Sequence, residues 1–365
     1  MEELTMSHND SDIHCGDFPQ KISASILPPI IITELLLGLP GNLIALGIFC
    51  FRFRFWRPTI LFLFNLVLAD FLLLMSLPFR IDNLLRGENW VFGDAWCRIN
   101  LFMIAVNRSA SIGFMTAVAL DRYFKVVHPL HKVNFMRLRH VAMTVCFIWT
   151  VAIALRLPLL VNNDVLRKLE NDSYENASLT NKTDENIYLC RSFHPYENPP
   201  LSIQLHYLVY ILEFFFPLLL ILFCSIQIYC VLRQRQVSKK KNLQAMRIVL
   251  VIVGVFIICF GPGVVTGLSA LYLKTLGNDY CTAFKLNSEV FIVFIGFTYL
   301  NSVLDPIIYC FSGSLFRDTF KGSIYQYRMY RASMSIRKSE IGGIFCKAVF
   351  YYESPTSYAK KDKME

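Results

Sequence analysis

The chain has 365 residues, of which 55% are hydrophobic, and its mean hydropathy is +0.44. This apolar fraction exceeds that of ordinary soluble domains, so the composition excludes a soluble globular protein and indicates a membrane protein. The formal net charge is +9. That surplus does not call for a nucleic acid partner, because basic residues next to membrane spans face anionic lipid headgroups.

Seven apolar segments are long enough to cross a hydrocarbon core about 30 Å thick as helices. The acidic N-terminal segment lacks a basic stretch and a cleavage site, so we expect no removable signal peptide. The sequence shows neither an internal repeat nor a second globular domain. The predicted spans are 26–50, 58–82, 96–121, 140–161, 202–231, 245–272 and 288–311.

The basic residues predict the orientation of the spans. They crowd the first and fifth loops, whereas loops of the opposite parity carry many acids. The positive-inside rule therefore places the first and fifth loops in the cytoplasm and the N-terminus outside, as in a multi-pass protein of the plasma membrane. Four Asn-x-Ser/Thr sites agree, because all fall on segments placed outside. These predicted glycosylation sites are Asn9, Asn171, Asn176 and Asn181.

The predicted domain organisation is simple. An extracellular N-terminus at 1–25 precedes the transmembrane domain at 26–311. Apolar residues between Leu315 and Ile324 fall on one helical face, so residues 312–326 are predicted to form an amphipathic helix on the inner membrane surface. Residues 327–365 are expected to be a flexible cytoplasmic tail.

Arg108 stands between apolar residues of the third span, where an arginine is costly unless it is paired, hydrated or bound to a ligand. It precedes Arg122 by 14 residues, which corresponds to about 21 Å of helix and close to four turns. Arg108 is therefore predicted to face the bundle interior in the outer half of the membrane. Arg80 and Arg156 lie near the outer ends of spans two and four, so we expect all three arginines to share one cavity in the outer half of the bundle.

Two explanations of Arg108 are open. A guanidinium grips a carboxylate with two parallel hydrogen bonds, which would suit an acidic ligand. The alternative is an internal salt bridge with Glu213 in the fifth span. Three arginines against one glutamate leave a positive surplus, and an unpaired buried cation is costly, so ligand binding is favoured.

A second group of polar residues lies within the spans and contains two acids and three neutral oxygen donors. Such a set would suit a monovalent cation such as sodium, and a purely structural hydrogen-bond network would explain it equally well. We expect no other cofactor. The residues are Asp70, Ser111, Asn301, Ser302 and Asp305.

Short motifs, about one per span, resemble those of the rhodopsin-like, class A G-protein-coupled receptors over about residues 26–325. They include Gly41-Asn42, "LVLAD" ending at Asp70, "CFGP" in span six and "DPIIY" in span seven. The run "LFMIAVNRSASIGFMTAVALDRYF" is similar to span three of the hydroxycarboxylic-acid receptors and of the oxoeicosanoid and hydroxyeicosanoid receptors. The resemblance implies an all-α bundle of seven transmembrane helices that is not an enzyme. It also implies an acidic ligand, an inhibitory heterotrimeric G protein, and arrestin and receptor kinases as further partners.

The resemblance also implies roles for particular residues. Arg108 resembles the carboxylate anchor of that branch, with Ser192, Phe291 and Tyr299 as pocket neighbours. Phe260 and Asp305 stand where most of the family has tryptophan and asparagine. The residues implied in switching and G-protein coupling are Asp121, Arg122, Tyr123, Phe260, Pro262, Asp305 and Tyr309.

Four cysteines, Cys15, Cys97, Cys190 and Cys281, fall on the oxidising outer side of the membrane. Taken by themselves they allow three pairings. The resemblance implies the bridges Cys97–Cys190 and Cys15–Cys281.

Two alternatives to this function are open. Within the receptor class, the ligand is either a small hydroxy acid or a long-chain oxo or hydroxy fatty acid. A membrane transporter of organic anions is the rival outside that class, but the sequence lacks the paired repeats and broken helices typical of transporters.

Overall fold

The computed structural model describes residues 21–51, 57–161, 165–168, 187–192, 201–234, 240–276 and 280–312, together with Gly322 and Met329. The chain divides into two compact units, Met1–Gly313 and Ser314–Glu365, and every element below belongs to the first. The predicted amphipathic helix, the tail and the four glycosylation sites lie outside the described residues, apart from the helix's first residue and those two isolated positions.

Within the described residues, seven apolar helical segments are long enough to span a membrane, which confirms the predicted all-α fold class. One short 3-10 helix, Lys132–Phe135, lies between α3 and α4. The helices are α1 (Lys21–Phe51), α2 (Pro58–Leu85), α3 (Asp94–Val127), α4 (Leu138–Val161), α5 (Leu201–Gln234), α6 (Lys240–Thr275), α7 (Cys281–Phe297) and α8 (Leu300–Ser312).

The observed helices run past most of the predicted bounds. The third continues to Val127 instead of residue 121, and the seventh span begins at Cys281 instead of residue 288. The predictions followed apolar composition alone, whereas a helix continues into the headgroup region because its backbone hydrogen bonds are satisfied within it. Lys285 and Asn287 interrupt the apolar pattern at the start of span seven, so its first two turns were not predicted.

The seventh span consists of two helices, α7 and α8, which a tight turn at Thr298 and Tyr299 separates. The backbone N–H of Thr298 donates to Ile295, and that of Tyr299 donates to Gly296, each three residues back. Such bonds wind the chain more tightly than an α-helix does. The turn directs Thr298 and Tyr299 towards the outer cavity described below.

The third helix packs against α2, α4, α5 and α6, so it is the central element of the bundle. Its approach to α4 requires a glycine: a Cβ atom at Gly113 would lie 2.8 Å from the Cγ2 of Ile148. Pro217, Pro262 and Pro306 lie inside α5, α6 and α8, where each removes a backbone hydrogen bond and favours a bend.

The outer loop between α4 and α5 contains a short hairpin that was not predicted. Its strands are β1 (Leu166–Lys168) and β2 (Tyr188–Cys190), antiparallel, with Leu166 opposite Cys190. A disulfide joins Cys97 at the outer end of α3 to Cys190, which confirms that predicted bridge. Cys281 is also disulfide-bonded, and Cys15, its predicted partner, lies outside the described residues.

Candidate ligand-binding site

A cavity lies beneath the bridged outer loop, between α2, α3, α4, α5 and the seventh span. It encloses about 700 Å³, open solvent at its mouth included. Its apolar wall consists of Leu101, Ile104, Ala105, Ile292 and Ile295. Its polar lining consists of Arg80, Arg108, Arg156, Arg191, Ser192, His206, Tyr210, Thr298 and Tyr299.

Arg108 lies at the inner part of this cavity and is only 7% exposed. Its guanidinium carbon lies 3.7 Å from the centre of the Tyr210 ring and 5.7 Å from that of Phe260. Its Nε and Nη2 atoms have no hydrogen-bond partner among the described residues. The aromatic faces offset part of the cost of burying this cation. They leave its hydrogen-bond donors available to an anion.

Arg156 is the arginine that binds Glu213. Its Nη2 donates to Glu213 Oε2, its Nε donates to the Ser109 hydroxyl at 2.9 Å, and Nη1 lies 3.3 Å from Nδ1 of His206. The Ser109 hydroxyl in turn donates to Glu213 Oε1 at 2.7 Å. The alternative that pairs Arg108 with Glu213 is therefore wrong. Of this hydrogen-bonded ion pair, the Arg156 side chain lines the cavity.

The other two arginines of the cavity differ from each other. Arg191, next to Cys190, binds Glu88 in a buried ion pair. Arg80 is 7% exposed and lies next to the Tyr299 hydroxyl. Among the described residues, no carboxylate oxygen lies within 4 Å of the Arg80 or Arg108 nitrogens. Two of the four cavity arginines therefore have no carboxylate in direct contact.

Of the six predicted pocket residues, five line the cavity, namely Arg80, Arg108, Arg156, Ser192 and Tyr299. Phe291 is not among the lining residues. Its ring packs edge-to-face on Tyr210, with 6.2 Å between the ring centres, so it supports Tyr210 from behind. The sequence predicted that Phe291 contacts the ligand, because its position along the helix does not reveal that Tyr210 lies between it and the cavity.

Four polar lining residues were not predicted from the sequence, namely His206, Tyr210, Arg191 and Thr298. The first two did have a detectable signal. His206, Tyr210 and Glu213 are spaced four and three residues apart, which forms one polar stripe on the otherwise apolar α5. Arg191 had none, because only the hairpin and the disulfide direct it into the cavity.

A second polar site lies deeper in the bundle around Asp70, which is fully buried. The hydroxyls of Ser302 and Tyr309 donate to its two oxygens at 2.7 and 3.2 Å. The Asn301 amide donates to Asp305 at 3.1 Å, and Asp305 lies next to Asp70. Two adjacent buried carboxyl groups require a compensating positive charge, either a shared proton or a monovalent cation.

Ser111 is the remaining member of the predicted sodium set. Its hydroxyl accepts a hydrogen bond of 3.4 Å from Asn107, and Asn107 reaches Asp70. The five predicted residues thus belong to one buried network. Both explanations of it, a sodium site and a structural network, are compatible with this geometry.

The cytoplasmic end of α3 carries a third polar group, centred on Thr59 of α2. The Thr59 hydroxyl donates to Asp121 at 2.6 Å and accepts from Arg122 at 2.7 Å and from Lys125 at 3.1 Å. Arg122 and Asp121 also lie 3.6 Å apart. Arg122 is therefore held within the bundle.

The remaining predicted switch residues are packed in the interior or at its edge. Phe260 is 1% exposed, lies edge-to-face on Phe256, and precedes Pro262 of α6 by two residues. Tyr309 is fully buried, with its ring against Phe49. The Tyr123 ring lies 5.7 Å from that of Phe223. These contacts join the helices across the inner half of the bundle.

This bundle, with a cavity under a bridged outer loop and a restrained arginine at its inner end, has the architecture of a membrane receptor. The family described as 7 transmembrane receptor (rhodopsin family) matches residues 41–309. The chain belongs to this family of G-protein-coupled receptors. It is a multi-pass protein of the plasma membrane with its N-terminus outside.

Curated relatives place the chain more narrowly. It is 39% identical to the human hydroxycarboxylic acid receptor 2 over 309 residues, which is 84% of this chain and 80% of the relative. It is 39% identical to the human hydroxycarboxylic acid receptor 1, over 80% of this chain and 78% of that protein. With the human oxoeicosanoid receptor 1 it shares 37% identity over 83% of this chain and 73% of the relative. The resemblance to this branch is confirmed.

Proposed function

We propose that the chain is a receptor for an extracellular carboxylic acid and that Arg108 binds the carboxylate. The observation that carries this proposal is the buried guanidinium of Arg108, which has unpartnered donors and no carboxylate within 4 Å among the described residues. The relatives support it, because the names of several describe receptors for hydroxycarboxylic acids. A carboxylate at this point would satisfy the cation and the donors together.

Binding at Arg108 would act on α6 through direct contacts. The guanidinium lies on the rings of Tyr210 and Phe260, and Phe260 packs on Phe256 of the same helix. A bound carboxylate would change this stack two residues before Pro262, where α6 can bend. Bending there would move the inner end of α6 and open the cytoplasmic end of the bundle, where Thr59 and Asp121 hold Arg122.

The cytoplasmic partner that we propose is a heterotrimeric G protein of the inhibitory class. The support for that class is the branch resemblance, together with arrestin and receptor kinases as later partners. Pertussis toxin, which inactivates inhibitory G proteins, tests it: suppression of cAMP by an agonist should disappear after toxin treatment. Suppression that survives the toxin would contradict the inhibitory class and leave the ligand proposal untouched.

The test of the ligand proposal compares a carboxylic acid with its methyl ester on the wild type and on Arg108→Ala. The ester keeps the shape and loses the charge, so only the acid should activate the wild type. Arg108→Ala should lower the potency of the acid by about thirtyfold or more, because a desolvated charged pair is worth roughly 2 to 5 kcal/mol. Arg108→Lys should keep only part of the wild-type potency of the acid, since lysine lacks the two-pronged geometry of a guanidinium.

Two controls separate binding from folding. Surface expression is measured for every variant. Arg86→Ala is the matched control, because Arg86 is exposed and bonded to Asp82 at the outer end of α2. It should respond as the wild type does. Equal potency of the acid and the ester on the wild type would contradict the proposal.

A further inference from the structure

The inner end of α4 and the 3-10 helix before it carry exposed basic side chains. Lys132, Arg137 and Arg139 are all exposed, and we call these three residues the inner basic surface. Residues 122–163 contain no aspartate or glutamate, so this segment has no acid of its own. Among the described residues, no carboxylate oxygen lies within 4 Å of the three cations.

Asp121, at the inner end of α3, precedes this segment in the sequence, and its carboxylate is already bonded. Lys125 forms an ion pair with it at 2.7 Å, and the Thr59 hydroxyl donates to it at 2.6 Å. Arg122 lies 3.6 Å from the same carboxylate. Asp121 therefore does not neutralise the inner basic surface.

Exposed apolar side chains continue from the inner basic surface along α4. Met143 is 61% exposed and Phe147 is 68% exposed. Arg139, Met143 and Phe147 follow one another at intervals of four residues, so they lie on one face of the helix. The buried residues of α4 lie on the opposite face and are Val141, Val145, Ala152, Arg156 and Leu159. The outward face of α4 therefore contacts lipid, and its inner end is basic.

The depth of Arg139 follows from a hydrogen bond between α2 and α4, both of which run from the cytoplasm outwards. The Nε1 of Trp149 donates to Oδ1 of Asn65 at 2.9 Å, so these two residues lie at similar depth. Asn65 is seven residues from Pro58, the start of α2, or about 10 Å, and Arg139 is ten residues before Trp149, or about 15 Å. Arg139 thus lies about 5 Å further towards the cytoplasm than the start of α2, which is the level of the lipid headgroups.

We propose that the inner basic surface binds the headgroup of a phosphoinositide of the inner leaflet, with the acyl chains of the lipid along Met143 and Phe147. Arginine donates two parallel hydrogen bonds to a phosphate, and basic clusters immediately cytoplasmic of a membrane span attract such lipids. Three cations without a contacting acid favour a headgroup with several phosphates over the single net charge of phosphatidylserine.

The apolar face of α4 favours a lipid over a protein partner. Met143 and Phe147 lie about 6 and 12 Å further into the membrane than Arg139, beyond the reach of a protein that docks from the cytoplasm. The site is separate from the cavity at Arg108 and does not rest on the proposed function.

The inner basic surface is also joined to α3. The side-chain amide of Asn134 donates to the carbonyl oxygens of Phe124 and His128 at 3.1 and 2.8 Å. Lys132 lies two residues before Asn134 in the 3-10 helix. A headgroup bound at Lys132 would therefore contact the segment that is held against the inner end of α3.

The experiment uses the full-length receptor in phosphatidylcholine nanodiscs that contain a phosphatidylinositol bisphosphate with a photoactivatable diazirine on one acyl chain. Mass spectrometry after illumination should find the label on the α4 peptide that contains Met143 and Phe147. The combined change Arg137→Gln and Arg139→Gln should raise the lipid fraction that half-saturates this labelling about 25-fold, or about fivefold for each cation. Lys132→Gln should raise it about fivefold.

Matched variants separate this site from general attraction to anionic lipid. Arg233 and Arg247 are exposed basic residues at the inner ends of α5 and α6. The combined change Arg233→Gln and Arg247→Gln should leave the half-saturating fraction for α4 within about twofold of the wild type, because neither residue adjoins α4 in the sequence. A phosphatidylserine with the same diazirine should label α4 at less than about a tenth of the level. Surface expression of every variant should match the wild type, because the substituted side chains are exposed.

Four results would overturn the proposal. Equal shifts for the two double variants would mean a diffuse attraction without a site. Equal labelling by phosphatidylserine would mean that a single charge suffices. Displacement of the probe by free inositol trisphosphate at an equal concentration would assign the surface to a soluble phosphate. Unchanged lipid labelling of the Arg137→Gln and Arg139→Gln variant, together with loss of G-protein activation, would assign it to a protein partner.

Discussion

Glu213 on α5 binds Arg156 on α4 behind the cavity, and Arg108 one helix away has no share in that bond. Ser109, the residue next to Arg108, connects the two by donating to Glu213 while it accepts from Arg156. Glu213 thus neutralises the charge of Arg156, which lines the cavity. Because this counter-charge is already used by Arg156, the positive surplus remains at Arg108 and Arg80, where a ligand can reach it.

The Arg156–Glu213 pair predicts an asymmetry between single and double substitutions. Glu213→Gln leaves a buried arginine without its carboxylate and should lower the free energy of unfolding by roughly 3 to 5 kcal/mol. The combined change Arg156→Leu and Glu213→Leu removes both charges and should restore most of that stability. Thermal unfolding of the purified receptor in detergent, with Asp82→Asn as an exposed ion-pair control, measures this. A double variant no more stable than Glu213→Gln would contradict it.

The Cys97–Cys190 bridge predicts a large effect on the outer loop. It closes a separation of 93 residues, so its loss should lower the free energy of unfolding by roughly 4 to 5 kcal/mol in the loop-entropy account. Cys97→Ser should therefore lose surface expression or ligand response. Cys146→Ser, at an exposed free thiol of α4, is the control. Cys97→Ser with both properties intact would refute the role of the bridge.

Thr59 predicts a way to raise ligand-independent signalling. Its hydroxyl bonds Asp121, Arg122 and Lys125, so it holds Arg122 inside the bundle. Thr59→Val keeps the shape and removes these bonds, each worth roughly 1.5 to 3 kcal/mol because the partners are charged. Basal nucleotide exchange on the G protein should rise about tenfold or more if one such bond favours the closed state. Thr59→Ser should behave as the wild type, and unchanged basal exchange in Thr59→Val would contradict the prediction.

The Asp70 network predicts a dependence on sodium, which we propose as the compensating charge between Asp70 and Asp305. Replacing external sodium by N-methylglucamine should change basal nucleotide exchange in the wild type and have no effect in Asp70→Asn. The physical reason is that one neutralised acid removes the need for a cation. A wild type that is insensitive to the exchange of cations would favour the structural hydrogen-bond network instead.

Much of this architecture was predictable from the sequence, because bilayer thickness and backbone hydrogen bonding leave few choices to long apolar segments. The spans, their orientation and the interior face of Arg108 follow from hydropathy, basic loops and helical period. The bridge Cys97–Cys190 followed from the branch resemblance. The apolar pattern did not predict the helix ends, since helices extend beyond the hydrocarbon core as long as their backbones remain paired.

The tertiary structure decided which charges are paired. In the sequence, Glu213 is as available to Arg108 as to Arg156, because spacing along one chain does not set distances between helices. Only packing brings Arg156 and Ser109 to Glu213, places Phe291 behind Tyr210, and turns Arg191 towards Glu88. The amino-acid sequence by itself determined the class of protein, the seven spans and the presence of buried arginines. The arrangement of the helices determined that, within the part of the chain that the structure describes, no carboxylate contacts Arg108 or Arg80. Pairing depends on side-chain geometry across helices that are distant in the sequence.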